Sequence, residues 1–263
     1  METEVEKVPV WRLTEEASSH VEDVVAREFP LTIILNDREL VTLLCSPTDL
    51  KHLAIGFLSS EGLINGKDEL RKVLLDEVRG VVRIETTEDK TQVDEVFKRF
   101  ISSGCGRGAS FYSAVDAVGL PRIESPLHVS VGDIMALMKE FQHHSELYRA
   151  TGGVHSAALC DNDNILVFAE DVGRHNALDK IFGRCLLEDI PTQDRVVVTS
   201  GRISSEMLLK VSRRNIPVIA SKSAPTNLGV KLANDLGITL LGFVRGRRMN
   251  VYTNEWRIRD AQQ

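Results

Sequence analysis

The sequence predicts an α/β protein, with a three-layer α/β/α domain in its C-terminal half and a smaller α+β region before it. From Ser130 onward, short apolar runs of strand length alternate with segments whose apolar residues recur at helical spacing. This alternation is typical of βαβ units, so we expect a mostly parallel sheet with helices on its faces. The 263 residues suffice for one large or two modest domains.

The N-terminal part carries a hairpin signal and a helix signal. Residues 31–35 and 39–45 are apolar runs on either side of Asn36-Asp37, which favours a tight turn. Helical spacing of apolar residues follows from Leu50, and Gly62 is a plausible stop. These elements predict an α+β region.

The stretch from Pro121 to Pro126 is the best candidate linker. We therefore predict an N-terminal region over residues 1–126, with a cysteine loop at residues 102–110, and a second domain over residues 127–263. The second domain should begin with a helix capped by Ser130 and Asp133 in a capping-box arrangement.

Composition narrows the class of protein. The formal net charge of −6 argues against a generic nucleic-acid binder. No apolar run approaches the ~20 residues of a membrane span, and the acidic N-terminus does not resemble a signal peptide. The four cysteines form no CxxC pair, so we expect a reduced, cytoplasmic protein.

Cys105 stands out among the cysteines because glycines surround it. Gly104, Gly106 and Gly108 favour a loop, and Arg107 would favour the reactive thiolate. The alternative is a surface cysteine without a role. The other three lie at strand ends or on an apolar helical face, where burial keeps a thiol inert: Cys45, Cys160 and Cys185.

Polar residues collect just after the predicted strands, in residues 170–176, 199–202, 221–226 and 243–248. Ligands of open α/β sheets bind beyond the carboxyl ends of the strands, and three of these junctions open helices whose N–H groups suit anions. A basic crevice for a phosphate-bearing small molecule is therefore predicted. Its candidate residues are Arg174, His175, Arg202, Lys222, Arg245, Arg247 and Arg248.

Each candidate also has a structural interpretation. Arg202 and Arg174 could form salt bridges with Glu206 and Asp171, and His155 could be a ligand, a base or a hydrogen-bonded core residue. No Cys or His pair has the spacing of a structural zinc site, the zinc deaminase signature is absent, and no phosphate-binding glycine loop is complete. We therefore expect no protein-ligated metal.

With these motifs in view, the chain resembles the FdhD/NarQ family of formate dehydrogenase accessory sulfurtransferases. The resemblance spans residues 102–248 and is only loose in the N-terminal third. It rests on residues 102–106, 151–155, 170–180, 200–202, 221–226 and 243–248, in that order.

The resemblance implies a persulfide on Cys105, loaded by a cysteine desulfurase. It also implies delivery of that sulfur to the molybdenum cofactor, bis-molybdopterin guanine dinucleotide, before the cofactor enters formate dehydrogenase. It further implies a cytidine-deaminase-like fold, a homodimer and GDP-like nucleotides as cofactor analogues. The cofactor-binding segment corresponds to Phe243, Val244, Arg245, Gly246, Arg247 and Arg248.

One departure from the family matters. Many members carry CxxC in the cysteine loop, whereas Gly108 occupies the second position here. This departure argues against a mechanism that needs a disulfide within the loop, although one thiol suffices for a persulfide. Two alternatives stay open: a cofactor-binding chaperone in which Cys105 is incidental, and a hydrolase descended from the deaminase fold.

Overall fold

The computed structural model describes residues 4–87 and 120–259. The chain begins with an antiparallel ribbon of two strands, β1 (Val5–Leu13) and β2 (Ser18–Ala26). Both strands are exposed along most of their length, and their charged sequences gave no strand signal.

The predicted hairpin is confirmed as β3 (Phe29–Leu35) and β4 (Arg38–Cys45). Asn36 and Asp37 both have positive φ angles, 48° and 63°, as a two-residue hairpin turn of this kind requires. Two further strands, β5 (Leu70–Asp76) and β6 (Val81–Thr86), complete a four-stranded sheet in the order β4-β3-β6-β5.

Helix α1 (Leu50–Ser60) covers this sheet, and a short 3-10 helix follows at Lys67–Glu69. The apolar face of α1 joins the core formed by β3, β4 and β6, as its helical spacing predicted. Gly62, the predicted stop, follows the helix with a φ of 77°.

The C-terminal half forms a six-stranded sheet in the order β13-β12-β11-β10-β8-β9. Two short strands, β7 (Val129–Ser130) and β14 (Ile258–Arg259), pair with each other outside it. The six strands are β8 (His155–Cys160), β9 (Ile165–Asp171), β10 (Val196–Thr199), β11 (Val218–Ser221), β12 (Thr239–Arg245) and β13 (Arg248–Thr253).

The expectation of a mostly parallel sheet is wrong. Only the β10–β11 and β11–β12 pairs are parallel, whereas β8–β9, β8–β10 and β12–β13 are antiparallel. The reason is connection length. The four residues between β8 and β9 and the two between β12 and β13 are too few for a parallel crossover, which needs a dozen or more.

The α/β class with three layers is confirmed. One face of the sheet packs against α4 (Arg174–Leu187), α5 (Ser205–Arg213) and α6 (Asn227–Asp235). The other face packs against α2 (Val131–His144), which the short helix α3 (Glu146–Thr151) follows. The capping box at the start of α2 is present, with Ser130 and Asp133 bonded reciprocally at 3.0 Å.

Helices α1 and α4 cross at two glycines. A Cβ at Gly56 would lie 1.7 Å from the Asp179 carbonyl oxygen, and one at Gly183 would lie 1.9 Å from the His52 carbonyl oxygen. The two backbones are therefore in direct contact, and α1 joins the N-terminal sheet to the helix layer of the larger sheet. Within the described ranges, no helix has both the length and the apolar character that crossing a membrane requires.

Candidate functional site

The polar strand ends meet at one edge of the larger sheet. Strands β10, β11 and β12 are parallel, and β9 shares their direction because β8 is antiparallel to both β9 and β10. The four predicted junctions therefore lie at the same edge, and β8 begins there with His155 opposite Asp171. We call the cationic part of it the basic edge, comprising Arg174, Arg202, Lys222, Arg245, Arg247 and Arg248.

Hydrogen bonds join neighbouring junctions along this edge. The Ser200 hydroxyl accepts from the Ser156 backbone N–H at 3.0 Å and lies 3.4 Å from Nδ1 of His155. The Lys222 N–H donates to the Thr199 carbonyl at 3.2 Å, and Arg245 Nε donates to the Lys222 carbonyl at 2.8 Å. These bonds fix the turn that carries Arg245, Arg247 and Arg248 to the ends of β10 and β11.

Three polar residues of the 170–180 motif, Asp171, Asn176 and Lys180, form a network at the start of α4. The fully buried Asp171 carboxylate pairs with Lys180 Nζ at 2.8 Å. It also accepts from the N–H groups of Gly173 and Ser46 and from Asn176 Nδ2, at 2.9 to 3.0 Å. Arg174 and His175, the first two residues of α4, take no part in this network.

Arg174 and Arg202 lie near each other, and neither forms a salt bridge with a carboxylate of the described residues. Arg174 packs closely on Gly201: a Cβ added at Gly201 would lie 2.9 Å from the Cβ of Arg174. Burial and the charge of Arg202 lower the pKa of Arg174. The salt bridges weighed as an alternative are not formed: Asp171 pairs with Lys180, and in the part of the chain that is described no carboxylate lies within 4.0 Å of either guanidinium.

Two helices present uncapped N-termini here. No side chain caps α4 at Gly173 or α5 at Ser204, and the buried Ser204 hydroxyl has no hydrogen-bond partner among the described residues. Among the described residues, no hydrogen bond uses the N–H groups of the first turn of either helix, so these groups are available to a ligand or water. An N-terminus of this kind beside a guanidinium favours an anion.

Two histidines at the edge are neutral at pH 7. Burial, with the charges of Lys210 and Arg174, lowers the pKa of His175 to about 3. Its Nε2 lies 3.5 Å from a carboxylate oxygen of Glu206, whose pKa burial raises. Burial and the two edge arginines likewise lower the pKa of His155.

A β-bulge changes the direction of the side chains in residues 243–248. The pairing of β12 with β13 shifts between Gly242 and Arg245, and Phe243 has a φ of 52°, unusual for a bulky residue. Val244 is therefore buried against the α2 face, whereas Arg245 lies over the Phe243 ring at 5.6 Å. Gly246 (φ 58°) forms the turn, and Arg247 and Arg248 are exposed.

Comparison with known proteins decides the family. The sequence profile of the FdhD/NarQ family matches residues 26–259. The chain belongs to this family. Its similarity extends through the N-terminal third, where the resemblance had been loose.

The chain is similar to several family members over nearly its whole length. It is 44% identical over 252 residues to a protein of Bacillus subtilis named sulfur carrier protein FdhD, covering 95% of this chain and 96% of that one. It is 43% identical to a protein of the same name from Staphylococcus aureus, covering 97% of each. A crystal structure from Desulfotalea psychrophila, provisionally described as a formate dehydrogenase accessory protein, superposes with a TM-score of 0.80 at 29% identity, covering 97% of this chain and 99% of that one.

Three of the four cysteines of this FdhD/NarQ member lie in the described residues, and all three are buried, as the sequence predicted. Cys45, Cys160 and Cys185 are free and buried, and burial raises the pKa of each thiol to about 12. Cys105 and the rest of the cysteine loop lie outside the described residues. In residues 4–87 and 120–259, no group of three or more His, Cys, Asp or Glu side chains is placed to hold a metal ion.

A buried ion network escaped the sequence reasoning. Lys210 Nζ contacts both carboxylate oxygens of Asp179, at 2.8 and 2.9 Å, and a Glu61 oxygen at 3.6 Å. These charges join α1, α4 and α5 behind the edge. In the sequence, this network is indicated only by Asp179, a charged residue of the 170–180 motif on an otherwise apolar helical face.

Proposed function

We propose that this protein is a sulfur carrier that serves formate dehydrogenase. It takes sulfur as a persulfide on Cys105 from a cysteine desulfurase and passes it to bis-molybdopterin guanine dinucleotide before that cofactor enters the enzyme. The observation that carries the proposal is the state of the other thiols. Cys45, Cys160 and Cys185 are buried with pKa values of about 12, which leaves Cys105 as the candidate thiolate.

Loading requires only thiol exchange. The Cys105 thiolate attacks the outer sulfur of the desulfurase persulfide, the sulfur–sulfur bond of that persulfide breaks, and the desulfurase cysteine leaves as a thiolate. Delivery breaks the sulfur–sulfur bond of the Cys105 persulfide. Cys105 leaves as a thiolate, and the outer sulfur passes to the cofactor, which supplies the two electrons that reduce it to sulfide. Because Gly108 replaces the second cysteine, release depends on this external acceptor and not on a loop disulfide.

The basic edge supports binding of the cofactor as substrate. Each guanosine diphosphate arm presents phosphates. The edge offers two helix N-termini without a side-chain cap and two guanidiniums that have no carboxylate within 4.0 Å among the described residues. The neutral His175 and His155 add no charge but can donate or accept a hydrogen bond. We also expect a homodimer, which light scattering after size-exclusion chromatography measures directly.

The test is sulfur loading of single cysteine variants. The protein is incubated with a cysteine desulfurase and cysteine, and intact-mass spectrometry then detects the gain of one sulfur atom. Cys105→Ser should lose this gain and fail to activate formate dehydrogenase in cells that lack the wild-type protein. The matched controls Cys160→Ala and Cys185→Ala should keep both.

A cofactor chaperone predicts a different pattern. If Cys105→Ser still activates formate dehydrogenase, the persulfide mechanism is wrong and the chaperone becomes the better interpretation. If one of the buried-cysteine variants loses the sulfur while remaining folded, the assignment of the carrier thiol is wrong.

A further inference from the structure

Helices α4 and α5 begin at the same edge of the larger sheet and run in the same direction. Each follows a strand that ends at this edge, α4 after β9 and α5 after β10. Strand β8 lies between those two strands, so their ends are separated by two strand spacings, roughly 10 Å. Helices at such a distance meet through side chains and not through backbone. Side chains between α4 and α5 therefore influence how the two N-termini stand relative to each other.

Two polar contacts join these helices at matching positions. His175 Nε2 lies 3.5 Å from a carboxylate oxygen of Glu206, and Lys210 Nζ lies 2.8 Å from a carboxylate oxygen of Asp179. Counted from the first residue of each helix, the first contact joins the two second residues and the other joins the two sixth residues. Residues four apart lie on one face of a helix. The two contacts thus lie one turn apart between facing sides of α4 and α5, and they align the helices without an offset.

The deeper contact is buried and is also held by the end of α1. Asp179 is 1% exposed and Lys210 is 7% exposed. The Ser60 hydroxyl donates to Asp179 at 2.6 Å, and a Glu61 carboxylate oxygen lies 3.6 Å from Lys210 Nζ. Arg213, at the end of α5, donates to the Ser60 carbonyl at 2.9 Å. Neither α4 nor α5 can slide along its axis without stretching these bonds.

A buried ion pair is better suited to fixing a register than to stabilising a fold. Taking two charges out of water costs about as much as their attraction returns, and apolar replacements of such pairs are often neutral for stability. The apolar residues of the same helices, among them Phe182 and Met207, supply the core packing. Charge-assisted hydrogen bonds have a narrow range of distances and directions, whereas apolar surfaces tolerate sliding.

The register matters because of the groups at the two N-termini. Neither α4 nor α5 has a side-chain cap, and Arg174 and Arg202 lie beside their first turns. An anion bound by both helices needs both sets of N–H groups within hydrogen-bond distance at once. A slip of α5 by one residue would move its first turn by ~1.5 Å relative to α4, which is enough to break such a bond.

We propose that Asp179 and Lys210 are positioning residues of the basic edge, because their buried pair fixes the register of α4 and α5 and so holds the two uncapped N-termini level for one anionic ligand. This inference rests on the proposed function and assigns a role to residues that lie one helical turn behind the edge. Loss of the pair lowers the affinity for the ligand even where the fold keeps its stability.

A charge-neutral double variant, Asp179→Asn with Lys210→Met, tests the proposal. It removes both charges together, so the net charge is unchanged and neither charge is left buried alone. Its Tm should stay within about 4 °C of wild type. In calorimetry its affinity for GDP and for inorganic pyrophosphate should fall about tenfold. The matched control, Arg184→Met with Glu188→Gln, removes an ion pair within α4 and should leave both Tm and affinity unchanged.

The single variant Lys210→Met separates positioning from stability. It leaves the Asp179 carboxylate buried without its cation and should melt well below the double variant. A double variant that binds GDP as tightly as wild type would overturn the positioning role. One that melts as low as Lys210→Met would overturn it too, because the pair would then stabilise the fold itself. If the wild type binds neither GDP nor pyrophosphate, the edge has no anion to position and the inference fails, whereas sulfur loading of Cys105 on the same preparation decides the proposed function separately.

Discussion

The crossing of α1 and α4 predicts a large effect from adding a single methyl group. Gly56→Ala places a Cβ 1.7 Å from the Asp179 carbonyl oxygen, half of the 3.4 Å at which ordinary contact begins. Gly183→Ala places one 1.9 Å from the His52 carbonyl oxygen. Both obstacles are backbone atoms of the facing helix, so no side chain can move aside and the helices themselves must separate.

Two effects of opposite sign determine the size of the loss. Alanine in place of a helical glycine stabilises a protein by ~0.5–1 kcal/mol. Overpacking costs ~1–3 kcal/mol where neighbours can relax, and more where backbone meets backbone. We therefore expect each variant to lose about 2–3 kcal/mol of unfolding free energy, which corresponds to a fall in Tm of roughly 4–12 °C for a chain of this size.

Thermal unfolding followed by circular dichroism measures the change. Gly132→Ala on α2 is the matched control, because the Ser130 hydroxyl, at 3.5 Å, is the single atom of the described residues within 4 Å of the added Cβ. The control should melt at or slightly above the wild-type temperature. If Gly56→Ala and Gly183→Ala melt together with the control, the helices are not in backbone contact and the reasoning fails.

Two further predictions concern residues at the sheet edge where the polar junctions meet. Arg174→Ala and Arg202→Ala should each weaken GDP binding by about 1–3 kcal/mol in calorimetry if the contact is direct, whereas Lys51→Ala should not; unchanged affinity in both arginine variants would move the phosphate site elsewhere. Folding should also depend on pH through His175, whose pKa falls from 6.5 to about 3. Below pH 6.5 the imidazole of His175 binds a proton in the unfolded chain but not in the folded one. The free energy of unfolding should therefore fall progressively as the pH drops from 6.5 towards 3, and His175 should have no such effect above pH 6.5. The loss of urea stability between pH 7 and about pH 5 should therefore be smaller in His175→Gln, and an imidazole NMR titration near pH 6.5 would contradict the assignment.

Local signals in the sequence were reliable where they depended on neighbouring residues. The Asn36-Asp37 turn and the Ser130–Asp133 capping box both formed as predicted, because turn and cap geometry is set within four residues. The β1–β2 ribbon was missed because its two faces are both largely exposed, so no alternation of apolar and polar residues marks it.

Signals that depend on partners distant in sequence were not available. Hydrophobic periodicity predicts a strand but not the direction of its neighbour, which explains the wrong expectation of a mostly parallel sheet. Gly56 and Gly183 are weak helix formers when considered alone, and only the crossing of α1 on α4 explains them.

The basic edge survived the error about strand direction for a physical reason. Strand β8 is antiparallel to its neighbours β9 and β10. Its first residue therefore lies at the edge where these neighbours end, which places His155 opposite Asp171. The motif after β9 then serves two purposes. Its buried residues, Asp171 and Lys180 above all, fix the first turn of α4. That turn places Arg174 beside Arg202, and no carboxylate of the described residues forms a salt bridge with Arg174. Charges that stabilise the fold are thus satisfied internally, and the cations left without a carboxylate are the ones available to a phosphate.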